Sequence, residues 1–165
     1  MEKLKDAKLT QSKLKNKLFT DFTSKDINGR SRKISEYLGK SKYVLVDFWA
    51  FWCGPCIGSI PNLKKIHEKY DRQTLQIVGI SLDIQESQWI NAIKKHQMSW
   101  TQLIISDRKL ENQFRDVYGF AGIPYWVLID DKGKIVDFGI SVQELEIRDL
   151  NKKPMNLRLP PVPRE

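Results

Sequence analysis

Val44-Leu45-Val46-Asp47-Phe48-Trp49-Ala50-Phe51-Trp52-Cys53-Gly54-Pro55-Cys56 is the stretch on which the reading of this chain turns. It opens as an almost continuous apolar run from Tyr43 to Ala50, which predicts a strand buried on both faces. Beyond it Ile57, Ile60, Leu63 and Ile66 recur at helical spacing, a core-facing stripe that predicts a helix running to about Tyr70. Pro61 falls inside that stripe and is expected to kink the helix. The two cysteines of the chain therefore lie where a buried strand ends and a helix begins.

That position has chemical consequences. A helix N-terminus presents unpaired N–H groups and the positive end of the helix dipole, which stabilise a thiolate on Cys53. Only the thiolate attacks a disulfide. Cys56, nearly one turn on, faces the same way and can resolve a mixed disulfide. Pro55 sets φ in the first turn, where its missing N–H costs nothing, and Gly54 lets a partner chain approach closely. Two other uses of the pair stand beside this one. A structural zinc site wants four ligands, and His67 and His96 are not spaced as a second ligand pair. A purely structural cross-link closing so short a loop constrains little of the unfolded chain. Redox use is the favoured reading.

Asp47 interrupts the apolar strand six residues before Cys53. Burial favours its neutral form and raises its pKa, so it is a candidate to exchange a proton with Cys56; the alternative is a carboxyl that finds a hydrogen-bond partner and only packs. Trp49 reads as core, and Trp52, beside the nucleophile, as part of a docking surface. His67 and His96 read as surface residues. Gly122-Ile123-Pro124-Tyr125 precedes a later strand. Propensity alone favours a trans Ile123–Pro124 bond, and a cis bond is the rarer alternative.

The rest of the chain frames this centre. At 165 residues, 41% apolar and with five Trp, it has material for one domain with a real core. The net charge of +8 would suit nucleic acid or an anionic surface. Its basic residues, however, crowd into one terminal segment (Lys3, Lys5, Lys8, Lys13, Lys15, Lys17) or alternate with acids, and no nucleic-acid motif accompanies them. A solvated surface and no nucleic-acid partner are expected. No apolar run has the length of a membrane span, and residues 1–18 are too charged for an intact secretory signal. This points to a cytoplasmic protein, or to a mature form that has lost an export segment.

Residues 1–18 read as a mobile lead-in, 19–150 as the domain and 151–165, with Pro154, Pro160, Pro161 and Pro163, as an extended tail. Phe19–Thr23 and Ser31–Ile34 around Asn28-Gly29 predict a hairpin. Further strands are expected over 75–82, 100–105, 125–129 and 135–138, with Asp131-Lys132-Gly133 turning between the last two. Helices are expected over 86–96, with Trp89, Ile90 and Ile93 inward, over 110–118, and over 142–150. The result is an α/β fold: a central sheet of mixed direction with helices on both faces.

With buried Asp47, Trp52, Cys53-Gly54-Pro55-Cys56, Pro61 and the distal Ile123-Pro124 in that order, residues 19–150 closely resemble thioredoxins. Within that superfamily the chain looks most like the bacterial TlpA/ResA-type oxidoreductases, which are related to the redoxins. The N-terminal hairpin around Asp21-Phe22-Thr23 to Gly29, the strand Val78-Gly79-Ile80-Ser81-Leu82-Asp83 and an inserted α/β segment from Glu86 to Ile105 carry the likeness. The resemblance implies a thioredoxin-like fold, with Cys53 attacking, Cys56 resolving, Asp47 as buried acid and Pro124 as the cis-proline beside the dithiol. It also implies that the Ile123 backbone pairs with a bound substrate segment, and that Trp52, Gly54 and Pro55 line the substrate surface.

The sequence departs from its relatives in three places. The lysine that partners the buried acid in ordinary thioredoxins has no counterpart near Gly79. The glutamate that some ResA-type proteins carry after the second strand falls at or near Ile84. Phe19-Thr20 replaces the usual Ala-Pro before the first segment.

The resemblance further implies reduction of protein disulfides, at a potential near thioredoxin's roughly −270 mV. It implies an upstream dithiol electron donor held in the membrane, an extracytoplasmic or periplasm-facing location tethered in the cell envelope, a monomer, and no cofactor beyond the Cys53–Cys56 disulfide. Two rivals are a thiol peroxidase and a copper or zinc carrier using the same cysteines. Peroxidatic sites resemble Pro-x-x-x-Thr/Ser-x-x-Cys, whereas Val46 and Ala50 occupy the Pro and Thr/Ser positions before Cys53.

Overall fold

In a computed structural model that describes residues 13–119, 121–143, 145 and 150–151, the first regular element is a hairpin of β1 (Thr23–Asp26) and β2 (Ser31–Lys33). The first strand starts later than the expected Phe19–Thr23. The Asp26 carboxylate draws the turn together, accepting from the N–H groups of Asn28 and Arg30 at 2.9 and 3.0 Å, and Gly29 takes φ +74°. Phe19 and Phe22 serve packing instead: Phe22 lies 3.8 Å, centroid to centroid, from Phe114, and Phe19 stacks on Tyr118.

After a short 3-10 turn over Ile34–Tyr37 come β3 (Tyr43–Trp49), α1 (Gly54–Lys69) and β4 (Leu75–Ser81). These are followed by α2 (Glu86–Lys95), β5 (Thr101–Ile104), α3 (Arg108–Tyr118), β6 (Tyr125–Asp130) and β7 (Ile135–Gly139). Helix α1 is continuous through Pro61, whose side chain is exposed. Asp107 caps α3 by accepting from the Lys109 N–H, and Gly119 ends it at φ +63°.

One seven-stranded sheet forms in the order β2-β1-β5-β4-β3-β6-β7. Strands β5, β4 and β3 run parallel; β1, β6 and β7 join antiparallel to their neighbours. Every residue of β3 is buried, as its apolar run requires of a strand with pairs on both edges and helices on both faces. Tyr43, Leu45 and Trp49 of β3 pack with α1 and α2 on one face. Val44, Val46 and Phe48 pack with Phe114 and Tyr118 of α3 on the other.

Residues 13–18, read from their charge as the end of a lead-in, and Phe19 after them run along the outer edge of β7. Asn16 N–H donates to Ile135 O at 2.9 Å and Phe19 N–H to Gly133 O at 2.7 Å, and Leu14 is buried. Residues 1–12 of the lead-in, 152–165 of the tail, and 144 and 146–149 of the last expected helix lie outside the described residues. Val142, Leu145 and Leu150 are buried in the α1 face of the core.

Candidate active site

Parallel β3 and β4 and antiparallel β6 bring three chain segments to one end of the sheet: the exit of β3, the exit of β4 and the entry to β6. Leu82 N–H donates to Trp49 O at 2.9 Å, which ties the first two exits together. The chain then turns through Ala50-Phe51-Trp52, with Cys53 N–H on Ala50 O at 3.1 Å, and enters α1 at Cys53.

Cys53 is the N-cap of α1, with Pro55 in its first turn, and is joined to Cys56 by a disulfide with a Cα–Cα distance of 5.2 Å. Its Sγ accepts the Cys56 N–H at 3.2 Å, and Ile57 N–H reaches Cys53 O at 3.0 Å. No acidic residue stands in the first turn of α1 to offset the positive end of the dipole. Once the bond is reduced, the same N–H and dipole act on whatever charge Sγ carries, so this position favours a thiolate. Cys53 and Cys56 are only 5% and 3% exposed, whereas Trp52 beside them is 60% exposed. An incoming disulfide therefore meets an open aromatic ring beside nearly covered sulfurs.

Asp47 lies on the face of β3 that α1 covers, in register with Gly79 of β4 and Trp126 of β6. Burial is the influence that acts on its carboxyl, and it pushes the pKa up to about 8. A carboxyl of that pKa holds its proton at neutral pH and can release it just above.

Asp83, which the sequence offers only as the end of the strand Val78 to Asp83, has a definite task in the structure. Its two oxygens accept the Phe51 N–H at 3.1 and 3.2 Å, and its Oδ2 accepts the Ser81 hydroxyl at 2.6 Å. This buried carboxylate fixes the turn that leads into Cys53. A polar residue placed just past an otherwise buried strand was the available signal.

Ile123–Pro124 is a cis peptide bond at the entry to β6, the same end of the sheet as the dithiol, and Ile123 packs against both halves of the core. The histidines lie elsewhere. His67 is in the last turn of α1, about 20 Å along the helix from Cys53 at 1.5 Å per residue, with its ring against Trp100. His96 caps the C-terminus of α2. Among the described residues no three His, Cys, Asp or Glu side chains are gathered so as to hold a metal ion, and no helix is long and apolar enough to cross a membrane.

A family model described as thioredoxin-like matches residues 40–135. The thiol-disulfide oxidoreductase ResA of Geobacillus thermodenitrificans is 29% identical over 116 residues, which is 70% of this chain and 63% of that relative. The chain thus spans less than two thirds of that relative's length. Among solved structures, the thioredoxin domain of a thiol-disulfide oxidoreductase from Bacteroides vulgatus superposes with a TM-score of 0.72 at 29% identity, covering 80% of this chain and 92% of that one. A thiol:disulfide interchange protein from Bacteroides sp. gives the same TM-score and identity, covering 80% and 85%. With a CxxC disulfide at the strand–helix junction of a mixed sheet, and with a family match over more than half its length, the chain belongs to the thioredoxin-like family, and its similarity within that family runs to the ResA-type proteins.

Proposed function

We propose that this protein reduces protein disulfides by dithiol exchange. The observation that carries the reading is the Cys53 Sγ at the N-cap of α1, disulfide-bonded to Cys56 and accepting its N–H. In the reduced protein the Cys53 thiolate attacks one sulfur of a substrate disulfide. A mixed disulfide forms and the other substrate sulfur leaves as a thiolate. Cys56 loses its proton and attacks Cys53 Sγ, the Cys53–Cys56 bond closes, and the second substrate sulfur departs. Two electrons pass to the substrate, whose two thiolates take up two protons.

Asp47, beneath the N-terminal end of α1, is the group for the Cys56 proton. The ionised fraction of Asp47, small at neutral pH and growing towards its midpoint of about 8, accepts the proton as Cys56 attacks and returns it when an upstream dithiol restores the pair. Trp52, Gly54 and Pro55 form the substrate surface, and the backbone of Ile123 beside cis-Pro124 pairs with the bound segment. The Gly54-Pro55 dipeptide favours the reducing direction, with a potential near roughly −270 mV. A periplasm-facing or envelope-tethered site, a membrane-bound dithiol donor and a monomeric state complete the reading.

Trapping tests it. The Cys56→Ser variant is expected to hold its substrate in a mixed disulfide on Cys53, detected as a reductant-sensitive adduct on a gel. The Cys53→Ser variant is expected to form no adduct and to lose insulin-disulfide reduction; activity retained in Cys53→Ser overturns the assignment.

A further inference from the structure

Beneath the dithiol, a row of residues crosses the sheet and holds one polar side chain that exchange does not use. Register aligns Gln102 of β5 with Gly79 of β4, and Gly79 with Asp47 of β3, all facing α1. Gln102 is 5% exposed. Its Oε1 accepts the Trp49 Nε1–H at 3.2 Å, and because an indole N–H can only donate, this contact fixes which end of the amide is oxygen. The buried Nε2 at the other end makes no hydrogen bond within the protein.

Gly79 determines where that amide lies. A Cβ at this position would stand 2.4 Å from Gln102 Oε1 and 3.0 Å from Nε2. The amide therefore fills the space that a side chain on β4 would take, over the one strand that separates β5 from Asp47. On the opposite side of Asp47, the Trp126 ring reaches over Gly139, where a Cβ would stand 2.8 Å from Trp126 Cζ2. The two large side chains that flank the acid thus both lie over glycines: the indole extends towards β7, and the amide extends from β5 towards Asp47.

Among the described residues, the titratable groups on this face include Cys53 and Cys56 from α1, Tyr43 from β3, Tyr70 at the end of α1 and Asp137 from β7, and no charged side chain acts on Asp47. A buried N–H2 without a partner and a buried carboxyl two strands away, with only Gly79 between them in the row, each lack what the other supplies. A single bridging water would serve both, accepting from Nε2 and donating to the carboxylate.

We propose that Gln102 is a positioning residue for the proton step: its Nε2, through one bridging water, hydrogen-bonds the ionised carboxylate of Asp47 and favours that form. The proposal rests on the proton role assigned to Asp47. Without the donor, Asp47 keeps its proton to higher pH and is a poorer acceptor for the proton of Cys56.

The test follows Asp47 directly, by the 13C shift of its carboxyl in the reduced full chain titrated from pH 5 to 10, alongside the pH profile of disulfide exchange. Gln102→Met keeps the bulk and removes the donor. The Asp47 midpoint is expected to rise by about one pH unit, a tenfold smaller ionised fraction at a given pH below it, with the exchange profile moving in step. An unmoved midpoint in the folded variant overturns the proposal. Gln102→Glu guards against a misfolded Met variant: it keeps an acceptor for Trp49 and places a second carboxyl near Asp47, so a larger upward shift is expected and no shift again overturns it. If the midpoint moves but Asp47→Asn leaves exchange unchanged, the contact stands and the proton role of Asp47 falls.

Discussion

Asp47 and Asp83 are both buried near one end of the same sheet, and they have been given opposite surroundings. Asp83 receives the Phe51 N–H and the Ser81 hydroxyl. Burial raises its pKa, while those two hydrogen bonds pull it back. Asp47 faces the apolar side of α1 with no such direct donors, and burial alone carries its pKa to about 8. The difference shows how one residue type serves two ends. Donors aimed at a carboxylate turn it into a fastener for backbone; withholding them turns it into a store for a proton.

The largest effect expected from breaking this contrast is thermodynamic. Asp47 ordinarily titrates at 3.8 and in the fold at about 8. Between those values the folded state keeps a proton that the unfolded chain has released, so the wild-type protein loses stability as pH rises from about 4 to about 8. By pH 7 the loss reaches on the order of 4 kcal/mol, at 1.36 kcal/mol per unit. Asp47→Asn cannot ionise and lacks this slope. Urea unfolding of the oxidised protein across pH 4 to 9 is expected to show the variant overtaking wild type as pH rises, by a few kcal/mol at pH 7 and above. Parallel slopes in the two proteins remove the distinction between the two aspartates.

Next in size is Asp83→Ala, with the opposite sign. It leaves the Phe51 N–H and the buried Ser81 hydroxyl without their acceptor, and an unsatisfied buried polar group costs about 1–3 kcal/mol. A loss near 2 kcal/mol in urea unfolding at pH 7 is expected, together with slower insulin reduction, because the turn before Cys53 is no longer held. Asp83→Asn retains a side-chain oxygen for Phe51 and is expected to lose less. An Asp83→Ala variant within about 0.5 kcal/mol of wild type makes the fastening role untenable, since that is the range of ordinary surface changes.

The sequence showed the centre of this site more readily than its supports, for a physical reason. The run 43–50, the Ile57-Ile60-Leu63-Ile66 stripe and the Cys53–Cys56 spacing are local patterns, and local geometry turns them into β3, α1 and a disulfide. The strand of the first hairpin was misplaced because Asp26, rather than the aromatic run before it, decides where the turn closes. Leu14 and its neighbours read as solvated because lysines surround them, while their backbone finds the edge of β7. The cis bond at Pro124 followed from family likeness and not from propensity. Gln102 and Gly79 gave no local signal, because what joins them is strand register, which composition does not carry. Ser81 and Asp83, two residues apart at a strand exit, look like many loop entries until Phe51 is brought against them.

Ser81→Ala gives the smallest effect and the sharpest separation of the two acids. The Ser81 hydroxyl donates to Asp83 Oδ2 at 2.6 Å and accepts the Asp83 N–H at 2.9 Å, so its removal is expected to cost about 1 kcal/mol. It also takes away one of the bonds that pull the Asp83 pKa down, so that pKa rises further above its unfolded value. A carboxyl raised in the folded state withdraws stability as pH climbs past the unfolded value of 3.8. The deficit of Ser81→Ala relative to wild type should therefore be smaller at pH 4 than at pH 7. The carboxyl shift of Asp47, which shares no hydrogen bond with this cluster, should titrate as in wild type. A deficit that stays constant with pH implies that Ser81 only fills space, and a displaced Asp47 midpoint implies that the two carboxylates form one coupled system rather than two independent ones.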